Sequence, residues 1–365
     1  MNPGETMDPV TAAAQDFRAA VREFRSNVEV RRLMFVVANV LVPALVMAAA
    51  DAMSGADYPP ELAFVPRRIL SLTGGIAALS GLLIGLVLAR CHMGMVIQGN
   101  KLAKVLHGRL ELAPVNLLGV TPNFLLLTGI SAAGGLCLAC IAWGLAWWLS
   151  ALLGAALLVV LMAMLLRDHR RALATARRLD AAWTHAPIAI ELREQHATDS
   201  LEDTTADIAV VVTMAAALFA GAFNALTNVG GIADQLVLEI PPHTLKRVAV
   251  PTLAWFMVVS LLLSCRMVVR LRIALAQHSS TLAGLRQEPD DPWRFKPLER
   301  TFLLYGIVLV LACASGGIAG RSLGSGVAAW VATGALAMAG LCWYPFALRL
   351  ARTTREQRRQ IAQGR

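Results

Sequence analysis

The sequence predicts an all-α polytopic membrane protein: eight transmembrane helices, arranged as two parallel four-helix repeats, with both chain ends in the cytoplasm. Composition, the spacing of long apolar runs and the distribution of basic residues predict it. Of 365 residues, 57% are hydrophobic types and only 16% are charged, and mean hydropathy is +0.60. Soluble folds of this length do not hide apolar runs that recur from end to end, whereas a bilayer requires them.

Eight runs qualify: 33–50, 69–89, 124–142, 148–166, 208–226, 248–265, 302–320 and 327–348. At 1.5 Å per helical residue each crosses a hydrocarbon core of roughly 30 Å, given some tilt or flanking anchors. Helix is required because lipid offers backbone groups no hydrogen-bond partners. A membrane barrel would instead alternate polarity over segments of about ten residues, and the chain shows no such alternation.

The first run follows 32 polar residues containing Arg18, Arg22, Arg25, Arg31 and Arg32. A cleavable signal has an apolar core of about 7–15 residues much nearer its start. The segment therefore reads as a retained crossing, although Ala48-Ala49-Ala50 before Asp51 leaves cleavage possible. The second run is introduced by Arg67-Arg68 and carries Gly81-x-x-x-Gly85. The third opens at Phe124-Leu125-Leu126. The fourth follows Trp147 and stops at Arg167. The fifth carries Ala217-x-x-x-Gly221-x-x-x-Ala225, and the sixth follows Pro241-Pro242 and Lys246-Arg247. The seventh opens at Phe302 and carries Gly316-x-x-x-Gly320, and the eighth stops at Arg349. Small residues at such spacing let helix backbones approach. They are the favoured reading over broken helices at Gly74-Gly75, Gly134-Gly135 and Gly316-Gly317.

Basic residues set the orientation. With the N-terminus inside, segments assigned to the cytoplasm hold 28 of the 33 Lys and Arg, and outer segments hold 5. That is the positive-inside pattern. It absorbs most of the net charge of +9, so nucleic acid is not an expected partner. Trp143, Trp147, Trp148, Trp255 and Trp330 fall at the outer interface and Trp343 at the inner one, as aromatic belts do.

Self-comparison predicts the repeat. A shift of 178 residues lays Phe124-Leu125-Leu126 on Phe302-Leu303-Leu304 and Pro114 on Pro292. Pro59-Pro60 followed by Arg67-Arg68 corresponds to Pro241-Pro242 followed by Lys246-Arg247. Arg167 and Arg170 correspond to Arg349 and Arg352 at a shift of 182. Four crossings is an even number, so the second copy enters in the same sense as the first and the symmetry axis lies along the membrane normal. The expected organisation is a cytoplasmic segment 1–32, a first repeat 33–166, a cytoplasmic linker 167–207, a second repeat 208–348 and a basic tail 349–365. The second and sixth crossings are expected to continue as helices towards Gly108 and Pro289. The tail, with Arg349, Arg352, Arg355, Arg358 and Arg359, suits anionic headgroups.

Within the linker, 187–207 carries Glu191, Glu194, Asp199, Glu202, Asp203 and Asp207 against Arg193 alone. It reads as a solvated spacer, with a docking site for a basic protein partner as the sharper alternative.

The constellations that carry chemistry are sparse. None of the eight runs contains Asp, Glu, Lys, Arg or His, which disfavours proton relays and ion-driven carriers. Backbone carbonyls at a broken helix remain a route to Na⁺. Cys137 and Cys140 share a helical face but have no His or Met on their helix, so packing is favoured over metal or redox chemistry. The other cysteines (Cys91, Cys265, Cys313, Cys342) lie in or beside apolar runs, and no disulfide framework is implied. His92, His107, His169, His185, His196 and His278 read as cytoplasmic surface residues and His243 as an outer one. Asn123 and Asn224 read as interhelical hydrogen bonders. The chain has neither a phosphate-binding glycine loop nor a zinc-protease motif. No catalytic, cofactor-binding or metal-binding residue is assigned, and no cofactor. The expected function is a non-enzymatic scaffold or subunit of a transport, export or envelope-assembly complex in a cell membrane, in a bacterium the inner one. The alternative is a carrier for an apolar, neutral or lipid-like substrate between the two repeats.

Overall fold

The computed structural model of the chain describes residues 9–41, 64–108, 110, 112, 120–183, 188–235 and 242–287. Among them there is no strand. Six α-helices account for nearly all: α1 (Pro9–Val36), α2 (Phe64–His107), α3 (Val120–Ala142), α4 (Trp147–Leu179), α5 (Ile190–Gln235) and α6 (Pro242–Leu285). α1 runs on into a π-helical turn, Val37–Leu41, and α4 into a 3-10 turn, Asp180–Ala182.

Among the described residues, three segments are long and apolar enough to cross a membrane: Ser71–His107, Val120–Cys137 and Trp148–Ala182. They contain or overlap the predicted runs 69–89, 124–142 and 148–166. Runs 208–226 and 248–265 fall inside α5 and α6. Of the first run only 33–41 is described, and 302–320 and 327–348 lie outside the described residues.

The apolar faces explain the helices. α2 exposes Leu72, Ile76, Leu79, Leu83 and Val87 while burying Ala77, Ala78, Ile84 and Leu88. The exposed set recurs at three- and four-residue steps, so an uninterrupted hydrocarbon stripe faces outward, as water would not favour and lipid would. α4 does the same with Leu152, Val159 and Val160. The first half of α3 is enclosed: Phe124, Leu125 and Leu127 are all at most 1% exposed. A core joins Phe35 and Ala38 from α1 and the π turn, Leu88 from α2, Phe124 from α3, Leu165 from α4, Val211 and Met214 from α5, and Met267 from α6.

Beyond the apolar stretch the helices continue as a polar-ended bundle. α2 has 44 residues, about 66 Å at helical rise, and stops at His107, where Gly108 takes φ +70°. Its N–H donates to the Lys104 carbonyl at 2.8 Å, and glycine suits this left-handed terminator. α6 also has 44 residues and starts and ends 178 positions after α2; Gln287 just past it takes φ +53°. Both helical continuations expected from the sequence, towards Gly108 and Pro289, are present.

α1 departs from the expected plain polar segment. Ala13, Phe17, Ala20 and Val28 form a buried stripe, and the first three join Leu102, Val105 and Ile188 in a second apolar cluster. Lys101 to Asp16 at 3.4 Å, Lys104 to Asp180 at 2.9 Å and Arg286 to Glu194 at 3.9 Å tie neighbouring helices around it.

α2, α3 and α4 approach closely through glycine. A Cβ on Gly81 would lie 2.5 Å from the Ala132 Cβ, one on Gly74 2.6 Å from the Gly135 carbonyl oxygen, and one on Gly85 2.7 Å from a Leu161 methyl. α2 and α3 run unbroken through Gly74-Gly75 and Gly134-Gly135, so packing, not a helix break, is what Gly74, Gly81 and Gly135 serve. Gly81→Leu is expected to lower stability by about 1–3 kcal/mol through overpacking against a neighbouring backbone, read as a reduced unfolding midpoint in mixed micelles. Gly75→Ala, where nothing lies within 4 Å, is expected to be near neutral.

Candidate functional site

Two pairs of charges stand at matching places in the sequence. Arg31 and Arg32 immediately precede the apolar run at Leu33, and Asp203 and Asp207 precede the run at Ile208. The fold brings them together where α1 and α5 enter the apolar bundle. Asp207 accepts hydrogen bonds from the Arg31 Nη2 and, at 2.5 Å, from the Arg32 Nε. Arg32 Nη2 also donates to Asp203 Oδ1 at 3.1 Å. The Arg31 and Asp207 side chains are 8% and 6% exposed. Burial lowers the pKa of Arg32, but Asp207 and Asp203 outweigh it and the net shift is upward.

Arg31 does more than pair. Its Nη1 donates to the Thr121 hydroxyl at 3.3 Å, and its guanidinium lies 5.5 Å from the centroid of the Phe124 ring, within cation–π range. Phe124 stacks on Phe35 with centroids 3.8 Å apart and planes 8° from parallel. The charged layer thus sits directly on the aromatic floor of the apolar core.

The acidic stretch 187–207 is not a solvated spacer. Its residues from Ile190 form the first turns of α5, with Asp207 buried, and its acidic face meets arginines of the chain's own α1. Arg25 lies 3.5 Å from Asp199, 3.7 Å from Asp203 and 3.8 Å from Glu202. α1 presents its basic edge where α5 presents its acidic one.

A cavity of about 500 Å³ opens beside this junction. α1 and α2 give it an apolar wall (Val21, Phe24, Val28, Leu102, Leu106) and α5 a polar one (His196, Asp199, Ser200, Asp203), while α6 adds Leu271 and His278. It therefore lies between elements drawn from the first and second halves of the chain. A smaller cavity of about 270 Å³ shares Val21, Arg25, His196 and Asp199 with it and adds Arg18 and Arg22.

His92, His169, His196 and His278 depart from the surface reading, whereas His107 is exposed and His185 and the side chain of His243 lie outside the described residues. His169 is buried, at 6% exposure, and its Nδ1 lies 3.1 Å from the His92 Nε2; their rings stack at 5.3 Å. Such a contact needs one protonated and one bare nitrogen. His196 packs edge-on against Phe17 at 5.7 Å. Its pKa is lowered by burial first and His278 second, and Asp199 and Asp203 only partly oppose this. Burial also lowers His278. The lack of a His-x-x-x-His pattern hid these pairs, because each joins helices distant in sequence.

The remaining candidates are bland. Cys137 donates its thiol to the Ser150 carbonyl at 3.1 Å and packs against Gly154; Cys91, Cys137 and Cys140 are free thiols. Among the described residues no cluster of His, Cys, Asp or Glu fits a metal ion. Asn123 is buried, and the side chain of Asn224 is outside the described residues.

Comparison with protein-family models, curated proteins and solved structures finds no match. The chemistry must be read from the residues alone.

Asp207→Asn leaves the buried Arg31 without its carboxylate partner, and a cost of about 3–5 kcal/mol is expected. Exchanging the partners, as Arg31→Asp with Asp207→Arg, is expected to recover part of that loss, read from the same unfolding midpoints. A second outcome concerns pH. Because the folded-state pKa values of His196 and His278 lie below the ordinary 6.5, the unfolded chain takes up protons first as pH falls. Stability is expected to be constant above about pH 7.5 and to fall below about pH 6.5, by at most about 1.4 kcal/mol per pH unit for each histidine. Replacing both with Gln is expected to lessen that fall in thermal melts between pH 7.5 and 5.5.

Proposed function

We propose that the chain is a non-enzymatic scaffold or subunit of a transport, export or envelope-assembly complex, set in a cell membrane by eight crossings. The observation that carries this reading is the polar-ended bundle. Portions of α1, α2, α5 and α6, with the end of α4, pack into one body beyond the apolar stretch. A chain that only needed to cross lipid would have no use for such a platform. In this reading the platform is cytoplasmic, as the basic residues imply, and both chain ends lie on that side. Exposed Arg90, Arg167, Arg170 and Arg171 would meet anionic headgroups at its upper edge. No cofactor and no nucleic acid enter the proposal, and the inner membrane is the compartment if the source is bacterial.

The two-repeat organisation belongs to this reading. It is supported by α2 and α6, equal in length and 178 residues apart, and by the meeting of α1 with α5 at the corresponding entrances of the first and fifth crossings. A protein partner would dock on what α1 leaves uncovered of 187–207, where Glu191 and Glu202 are exposed.

A carrier for an apolar, neutral or lipid-like substrate is the second reading, favoured by the cavity between the halves. One experiment separates the two. In the scaffold reading, affinity purification in mild detergent retains a partner at fixed stoichiometry, and Glu191→Lys with Glu202→Lys releases it while the chain still elutes as a single species. A partner-free particle that moves solute in proteoliposomes overturns the scaffold reading in favour of the carrier.

A further inference from the structure

One face of α4 carries two different surfaces end to end. Its first part exposes Leu152, Ala156, Val159, Val160 and Ala163. Its second part exposes Arg167, Arg170, Arg171, Arg177 and Arg178. At 3.6 residues per turn all of these positions fall within one sector of roughly 120°. Leu161, Leu165, Ala172 and Ala176, on the opposite side, are buried. The single acidic residue of the helix, Asp168, is buried as well. The arginines of α1 that face α5 are each matched to a carboxylate. Among the described residues, none of the five exposed arginines of α4 is within ion-pair distance of one.

The lengths fit one leaflet. Leu152 to Ala163 spans about 16 Å at helical rise, close to half of a hydrocarbon core of roughly 30 Å. Arg167 to Arg171 spans about 6 Å more, comparable with the headgroup layer on one side. Arg177 and Arg178 lie roughly 9–10 Å beyond Arg171. The interior marks the same depth independently. His169 lies 3.1 Å from His92, and one turn further along α2 the buried Arg31 reaches the Met95 sulfur at 3.9 Å. The turn Arg167–Arg171 therefore stands outside the bundle at the depth where buried charge begins inside it.

Whatever covers this face must lie along hydrocarbon and then answer cations that have no counter-charge from the chain. A free phosphate or a soluble acidic peptide meets only the second demand, and an anionic phospholipid meets both. We propose that α4 holds an anionic phospholipid of the cytoplasmic leaflet as a resident ligand. Its acyl chain lies along Leu152–Ala163 and its phosphate on Arg167, Arg170 and Arg171, whose guanidiniums suit phosphate oxygens. Arg177 and Arg178 stand outside the site. The inference rests on the membrane reading above and deepens it, separating a defined lipid site from the general attraction of basic residues to headgroups.

The test titrates the purified full-length chain in a non-ionic detergent with dioleoyl-phosphatidylglycerol, and in parallel with dioleoyl-phosphatidylcholine, which has the same chains and no net charge. Native mass spectrometry reads the lipid retained per chain. The expected result is saturable retention of the phosphatidylglycerol, about tenfold or more tighter than the phosphatidylcholine. Arg170→Gln with Arg171→Gln, exposed positions at which glutamine keeps helix propensity, is expected to remove that preference. Arg177→Gln with Arg178→Gln removes the same charge from the same face and is expected to change retention less than about threefold. A large excess of inorganic phosphate is expected not to displace the lipid. Equal retention of the two lipids, no saturation, or equal losses in the two double variants overturns the proposal. Displacement by inorganic phosphate overturns it in favour of a free anion. An acidic protein that copurifies with the chain and is lost in the Arg170, Arg171 variant, without any lipid preference, overturns it in favour of a protein partner. A chain released from membranes by alkaline carbonate refutes the membrane reading itself. A chain that stays in the membrane but shows no lipid preference refutes only the site.

Discussion

The Arg31–Asp207 pair, with Arg32 and Asp203 beside it, is the constraint around which the rest is arranged. Charges buried this deeply are costly to desolvate, and paired geometry only offsets that cost. What such a cluster supplies is position. Asp207 can meet both arginines only if α1 and α5 enter the apolar bundle at one depth and in one rotation. From there Phe35 is carried onto Phe124, and Val211 and Met214 face the same core. The apolar contacts alone would tolerate a slide of one helix along another, because hydrocarbon is uniform. The ions do not tolerate it.

That anchoring also decides where polarity is allowed. Above the cluster the described core is largely apolar, its polar exceptions including Asn39, Thr128, Ser150 and Ser264, and the small residues of α2 and α3 bring backbones close enough to leave little space. Below it, the helices diverge enough to open a cavity, lined on one side by α1 and α2 and on the other by α5 and α6. The boundary between dry packing and a wettable site therefore coincides with the charged layer. The cavity lies on the polar side of that layer.

Much of the fold was legible in the sequence. Long apolar runs required helices, Gly108 marked where α2 stops, and the spacing of Gly81 and Gly85 marked close packing. The docked α1 was less visible. Its stripe of Ala13, Phe17, Ala20 and Val28 includes two alanines, which carry weak apolar signal, and five arginines dominate the segment. The candidate site was mostly illegible for a different reason. Counting acidic residues in 187–207 and basic ones in 1–32 finds both blocks but not that they face each other. Pairing is a tertiary fact, and here it joins residues about 175 positions apart. One hint was present: opposite charges stand immediately before Leu33 and before Ile208, each at the start of an apolar run.

That hint bears on how the helices avoid ambiguity of pairing. Apolar helices face a problem of partner choice, because each could pair with its counterpart in another copy of the chain. The opposite charges of α1 and α5 remove the degeneracy within one chain. Arg31 and Arg32 meeting Asp203 and Asp207 is attractive, whereas two copies of α1 facing each other would bring arginine against arginine, and two copies of α5 aspartate against aspartate. Like charges in so buried a place are strongly unfavourable. Opposite charge on α1 and α5 therefore specifies that these two unlike helices meet, and it does so at the polar edge of the described apolar core.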